Sequence, residues 1–276
     1  LGVLVHGLIF DFFAPWFLCG VTLVALVSFI DDMHPLSAKV RLLVHTFSLL
    51  LLLLQLGVHE VSWGYVVVAL FVGLAILNIY NFMDGINGIT GGYSLAVLLP
   101  LFYVNHSLHF IDNSFLIIII LSVLVFCMFN FRRKAKCFAG DIGSVGIAFI
   151  LLFIIGKLIL QTGDFTYIVF LAVYGVDSVL TIVHRLMLHE NIGQPHRKHL
   201  YQIMANELKI GHVKVALLYM VMQFVISLGF IYLCPDTILA HWVYLIGTLA
   251  VLAIAYILFM KKYYHLHEEY LATLKK

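Results

Sequence analysis

The chain has 276 residues, 63% of them hydrophobic and only 11% charged, with a formal net charge of +2. Soluble domains carry about 25% charged residues, so this composition excludes an ordinary soluble domain, and the small net charge offers nothing to a nucleic acid. The four cysteines (Cys19, Cys127, Cys137 and Cys234) form no CxxC pair, which argues against a disulfide framework or a zinc site.

Taken in order, the hydrophobic segments are ten: 1–12, 15–30, 41–57, 63–80, 92–104, 115–131, 142–161, 167–186, 213–233 and 241–260. Several approach the roughly 20 residues that a helix needs to cross hydrocarbon. The predicted fold is therefore all-α, a polytopic transmembrane helix bundle forming one integral-membrane domain over residues 1–276. The first segment opens on Leu1 inside the apolar run LGVLVHGLIF, so upstream sequence is expected. Alternating the segments sorts the connections into two sets. One holds 31–40, 81–91, 132–141, 187–212 and the tail 261–276, and every Lys and Arg except Lys157 lies in or beside it. That asymmetry places this set in the cytoplasm.

The chemistry-bearing residues fall in the same set. FIDDMHPLSAKVRL ends the second segment on Asp31 and Asp32 and opens the third with Lys39 and Arg41. A carboxylate pair at a membrane helix end needs a reason, although a solvated loop would also account for it. NIYNFMDGINGITGG follows the fourth segment. Asn78, Asn81, Asp84 and Asn87 are spaced by three, so the first three share a helix face if the helix runs to Asp84. Gly85, Gly88, Gly91 and Gly92 then break the helix and are expected to let a phosphate or nucleotide approach the backbone; helix packing through small residues is the plainer alternative, but it does not need Asn and Asp in register with the glycines. RRKAKCFAGDIGS puts four basic residues ahead of Asp141 at the start of a helix, where an acid is also an ordinary capping choice. HRLMLHENIGQPHRKHLYQ clusters His196, Arg197, Lys198 and His199. His189, His196 and His199 do not match a zinc spacing. Arginine and protonatable histidine suit a phosphate clamp, and a basic loop near anionic lipid is the plainer alternative. Asp177, within the eighth segment, is either functional or paired for structure.

Acids and amides together suit Mg²⁺, which prefers oxygen ligands, and the bases suit a polyphosphate. Phosphoryl transfer between a soluble nucleotide and a membrane-embedded phosphate joins these features most simply. In their order and membrane side the four motifs resemble the polyprenyl-phosphate N-acetylhexosamine-1-phosphate transferase family, over Leu1 to about Tyr201. The HRKHLYQ form looks most like the O-antigen and capsule initiators and lacks the triple-His loop of the peptidoglycan branch. The resemblance implies transfer of an N-acetylhexosamine 1-phosphate, by default N-acetylglucosamine 1-phosphate, from a UDP-activated donor to undecaprenyl phosphate, releasing UMP in the bacterial cytoplasmic membrane.

It further implies that Asn81 and Asp141 hold Mg²⁺ (or Mn²⁺) and that His196, Arg197 and His199 bind donor phosphates or sugar. Asp31 and Asp32 match the family's Asp pair, assigned to the lipid phosphate or the metal. Asp84 and Asn87 match positions on the nucleotide side, although many relatives carry Asp at the latter. Lys39 and Asn78 complete the substrate-binding candidates. The family also implies a homodimer, and a further N-terminal span and Gly-rich loop ahead of Leu1. A phosphate monoester has a second pKa near ~6, so the acceptor is already mostly dianionic at neutral pH. Asp31, Asp32 and Asp84 are the catalytic candidates, with Asp31 and Asp32 expected to position groups through Lys39 and Mg²⁺ rather than to abstract a proton. The rival readings are a transporter or flippase of a lipid-linked or phosphorylated substrate and an inactive scaffold. Transporters keep polar residues near the midplane, whereas here they gather at one face.

Overall fold

Three helices in this chain start where a polar side chain takes an orphan amide, and two stop where a glycine turns left-handed. Ser37 accepts from the Val40 amide, Ser62 from Gly64 and Asp112 from Ser114. Gly57 and Gly163 close two helices at φ 72° and 69°, a region that costs glycine nothing. The computed structural model describes residues 2, 3, 7, 14–191, 194 and 196–274. The expected segment 1–12 lies almost wholly outside the described residues.

Along the described chain run α1 (Pro15–Met33), α2 (Ala38–Leu56), the single turn α3 (Val58–Val61), α4 (Trp63–Met83), α5 (Ile89–Leu108), α6 (Asn113–Asn130) and α7 (Gly140–Thr162). A 3₁₀ stretch, Phe165–Leu171, leads into α8 (Ala172–Met187); α9 (Leu200–Asn206), α10 (His212–Tyr232) and α11 (Ile238–Leu274) follow. No strand occurs among the described residues. Among the described residues eight helical segments are long and apolar enough to cross a membrane, so the all-helical membrane bundle read from the sequence is the fold.

Three boundaries differ from the expectation. The short segment 92–104 is a full helix, α5, that falls outside those eight. Fourteen of its twenty residues are buried, and a helix surrounded by protein rather than lipid can carry Gly91, Gly92, Ser94 and Asn105. The eighth segment begins as the 3₁₀ stretch. The last segment, expected to stop at 260, continues as α11 to Leu274.

The core is built on aromatic contacts between α1, α6 and α7. Phe17 stacks on Phe153 with centroids 4.2 Å apart and meets Phe115 edge-on at 5.9 Å. One deeper polar cluster is satisfied internally, as burial in the bilayer favours. The Tyr93 hydroxyl donates to Gln223 at 2.7 Å and accepts from the Tyr174 amide. α1, α4 and α7 are packed so that one end of each delivers its polar residues to the same place.

Candidate active site

The last turn of α1 carries Asp31 and Asp32 on successive positions, so the two carboxylates point about 100° apart around the helix. Asp31 faces the turn into α2: it accepts from the Leu36 amide at 2.6 Å and from Arg41 Nη1 at 2.9 Å. Asp32 faces α7, where it accepts from the backbone amides of Asp141 and Ile142 at 3.1 and 3.4 Å. These are orphan donors of a helix N-terminus, so Asp32 caps α7 from another helix. Gly140, at φ 60°, brings the backbone beneath this carboxylate: a Cβ there would lie 2.6 Å from Asp32 Oδ2.

Asp141, so placed, meets two further groups. Its Oδ1 accepts from the Asn81 amide at 2.6 Å, and its Oδ2 lies 3.4 Å from Arg41 Nη1. Arg41 therefore bridges Asp31 and Asp141. The cation in the site is Arg41 and not the expected Lys39, which is exposed. Two residues along a helix turn the side chain by about 200°, so only one of the pair can face the acids. The candidate list missed Arg41, and this rotation relative to Lys39 was the available signal.

The Asn/Asp ladder divides. Asn78 is exposed and its amide donates to Leu74 O within α4, apart from the carboxylates. Asp84 leaves the helix as its C-cap and accepts from the Thr90 hydroxyl at 2.6 Å. Burial pushes the Asp84 carboxyl up to about 6, with the Thr90 hydrogen bond opposing and the charges of Asp141 and Asp32 adding to the rise. Asn87 donates to the carbonyls of Arg132 and Arg133, and the Asn130 side chain accepts from the Gly88 amide at 2.7 Å. Thr90 and Asn130 were also missed: Asn130 works through a partner 42 residues away, and Thr90 meets Asp84 only through the turn between α4 and α5.

The glycines do not open the backbone to a ligand. The space a Cβ would need is taken by Tyr201 at Gly85, by Phe131 at Gly88 and Gly92, and by Cys127 and Phe126 at Gly91. Packing, the plainer of the two expected uses, is what occupies them.

The basic loop is also rearranged relative to expectation. His199 is 1% exposed, with Nδ1 3.4 Å from Asp177 Oδ1. Asp177, whose role was left open, accepts from the Leu200 and Tyr201 amides at 3.0 and 3.3 Å and from the Tyr219 hydroxyl at 2.6 Å. It anchors the start of α9 and is fully engaged. His196 is half-buried beside Phe82, their rings 6.0 Å apart. Burial, then the positive charges of His199, Arg185 and Lys198, push His196 down to about 4. At neutral pH it offers a hydrogen bond and no charge, contrary to a protonated clamp. Arg197 is exposed and lines an open cavity with Lys209, Glu207 and Glu269. Lys198 is buried against Glu190, which also takes Arg185 Nε at 3.1 Å. Burial would lower the Lys198 ammonium, but Glu190 outweighs it and holds it above its usual range.

An apolar groove of about 360 Å³ opens beside this network. Its walls include Thr90 and Ser94 of α5, Val123 and Phe126 of α6, and Ile142 and Ile147 of α7. One end thus lies at the partner of Asp84 and the neighbour of Asp141.

Comparison with known proteins bears on these same helices. The chain is 25% identical over 258 residues to a probable undecaprenyl-phosphate N-acetylglucosaminyl 1-phosphate transferase of Bacillus subtilis (strain 168), covering 86% of this chain and 70% of that protein. It is 27% identical over 159 residues to a phospho-N-acetylmuramoyl-pentapeptide-transferase of Dictyoglomus thermophilum, covering 50% of this chain and 51% of that protein. The family model described as glycosyl transferase family 4 matches residues 14–159, which include Asp31, Asp32, Asn81, Asp84 and Asp141. The chain belongs to glycosyl transferase family 4, among the polyprenyl-phosphate hexosamine-1-phosphate transferases that its four motifs resemble.

Proposed function

We propose that the chain transfers an N-acetylhexosamine 1-phosphate, by default N-acetylglucosamine 1-phosphate, from a UDP-activated donor to undecaprenyl phosphate and releases UMP. The product would start a cell-surface polysaccharide such as O-antigen or capsule, with the carboxylate-bearing loops on the cytoplasmic side of the bacterial inner membrane. The observation that carries this reading is the junction of Asp31, Asp32, Arg41, Asn81 and Asp141, which joins three separated motifs by hydrogen bonds of 2.6–3.4 Å.

The donor set fits Mg²⁺. Two carboxylates, Asp31 and Asp141, meet one guanidinium here, with Asp32 on the amides beside them and Asp84 close enough to feel Asp141 and Asp32, and an excess of hard oxygen donors suits that ion. Among the described residues no three His, Cys, Asp or Glu side chains form a group able to wrap an ion. Substrate phosphates and water would therefore have to complete the coordination, as they usually do for Mg²⁺. Asp141 and the free oxygen of the Asn81 amide would hold it. Bound there, it would neutralise the donor pyrophosphate and the charge developing on departing UMP.

The chain's own residues have distinct parts. Asp32 fixes the start of α7 and so aims Asp141. Arg41 bridges Asp31 and Asp141 and reduces the repulsion between these neighbouring carboxylates. Asp84, with its raised pKa, sits where a proton or cation can be exchanged near neutral pH. Arg197 supplies charge for the donor phosphates and His196 a neutral hydrogen bond. The apolar groove ends at Thr90 and Ile142, which supports placing the polyprenyl chain of the acceptor along it, with its phosphate toward the carboxylates.

The test is UMP release by purified protein given undecaprenyl phosphate, Mg²⁺ and a panel of UDP-N-acetylhexosamines, with Asp141→Asn as control. UMP formed with one donor and lost in the variant supports the reading and names the sugar. No UMP from any donor overturns it.

A further inference from the structure

α11 is 37 residues long, about 55 Å at 1.5 Å per residue, and hydrocarbon takes only about 30 Å of that. Its end, from Lys261 onward, carries Lys261, Lys262, Glu268 and Glu269 and therefore stands beyond the bilayer. This projecting part does not stand free. It lies against the loop and short helix that present His196 and Arg197. His267 Nδ1 meets Glu207 Oε1 at 2.6 Å, with side chains only 3% and 5% exposed. The Lys198 ammonium sits 5.7 Å from the centre of the Tyr264 ring, and His184 packs edge-on against the same ring at 4.5 Å. Nearer the membrane, Tyr256 and Met260 bury Ile203 of α9.

We propose that the projecting part of α11 is a strut that holds the His196–His199 segment in register with the carboxylate site, with Tyr264 and His267 as its positioning residues. This rests on the transferase reading above. α9 has seven residues, too few to persist as an independent helix, so its direction is set by what grips its ends. Asp177 grips the first end through two backbone amides. Glu207, immediately after α9, is the grip at the other end, and its only side-chain partner in the described structure is on α11. The second carboxylate oxygen of Glu207 is buried without a hydrogen-bond partner. Removing His267 would leave the whole carboxylate buried and uncompensated, and a group in that position moves toward water. The end of α9 moves with it, and so does the segment leading into its start.

The test uses the full chain in lipid nanodiscs with His267→Ala, His267→Asn, Tyr264→Ala and Tyr264→Phe. Amide hydrogen exchange over residues 196–206 is followed beside steady-state kinetics with donor and acceptor varied separately. The two alanine variants should speed exchange over that stretch and leave α5 unchanged. They should raise the donor KM by about tenfold and keep the acceptor KM within about twofold, because uniform loss of fold would move both. His267→Asn, which keeps a donor near the position of Nδ1, and Tyr264→Phe, which keeps the ring over Lys198, should recover most of the loss. Unchanged exchange in both alanine variants, or donor and acceptor KM rising together, overturns the strut. If the wild-type chain releases no UMP, the transferase reading fails by itself, and the exchange data still decide whether α11 holds the segment.

Discussion

Exchanging Asp32 for Asn leaves the first turn of α7 with an acceptor but without a charge. The native carboxylate takes the Asp141 and Ile142 amides at 3.1 and 3.4 Å. An N-cap is worth about 1 kcal/mol, and a negative charge at a helix N-terminus about 0.3–1 kcal/mol. Since Asn keeps part of the cap, the stability loss should stay at or below about 1 kcal/mol, small beside the ~5–15 kcal/mol that holds a domain folded. The unfolding temperature should fall by about 2–4 °C at most. The site should suffer more than the fold, because Asp32 determines where Asp141 stands. Partners that orient a metal-binding side chain are typically worth about 10–100-fold in metal affinity or activity. The assay is UMP release titrated with Mg²⁺, beside thermal unfolding. Half-saturating Mg²⁺ should rise by about 10–100-fold, with turnover largely restored at high Mg²⁺. Turnover lost at every Mg²⁺ concentration would make Asp32 a direct participant, and wild-type behaviour in both assays would remove it from the site; either refutes the positioning argument.

The raised pKa of Asp84, about 6, gives two linked expectations. A metal competes with the proton, so half-saturating Mg²⁺ should climb as pH falls below about 6; a flat titration between pH 7 and 5 would remove Asp84 from metal binding. A folded carboxyl pKa above the unfolded 3.8 penalises the folded state fully above about 6 and is relieved as pH falls toward 4. Stability without metal should thus gain on acidification more in wild type than in Asp84→Asn, as chemical denaturation at several pH values would register. Asp177→Ala leaves the Leu200 and Tyr201 amides and the Tyr219 hydroxyl without their acceptor, at about 1–3 kcal/mol for each buried orphan. It should lower the unfolding temperature well beyond Asp32→Asn, and an equal effect would contradict the anchoring role. Gly140→Ala meets both a φ of 60° and the Asp32 carboxylate. It should cost at least about 1 kcal/mol and reduce UMP release, whereas full activity would mean that this approach is unimportant. Asn87→Asp exchanges an amide that donates to two carbonyls for a carboxylate that repels them, so trypsin should cut faster at Arg132 and Arg133; unchanged cutting counts against the tie.

The helical bundle was legible because apolar runs of membrane length have a single meaning, and eight crossing helices stand where such runs lie. Helix α5 was read too short, because Gly, Ser, Pro and Asn lower its apolarity while protein, not lipid, surrounds it. The acids were legible as candidates because carboxylates are costly at a membrane edge. Their partners were not. Asp32 and Asp141 are 109 residues apart in sequence and meet only when α1 packs on α7. Choosing Arg41 over Lys39 needs the phase of α2, and two residues of uncertainty there reverses the answer. The glycine series reads as an opening for a ligand because packing needs no Asn and Asp in register with it; the positions of Phe131, Cys127 and Tyr201 give that space to packing instead. His199 read as an open ligand because its sequence neighbours are charged, yet Asp177, in the preceding helix α8, draws it inside.

The central claim concerns which bond is made, and the phosphorus atom records it. A UDP-N-acetylhexosamine labelled with ³²P at the β-phosphate is incubated with the purified chain, undecaprenyl phosphate and Mg²⁺, and the organic phase is counted. Transfer of the sugar 1-phosphate predicts that the label enters the lipid while unlabelled UMP stays in water, and that Asp141→Asn abolishes both. Label retained in the aqueous phase as UDP beside a glycosylated lipid would mean transfer of the sugar alone and would contradict the account.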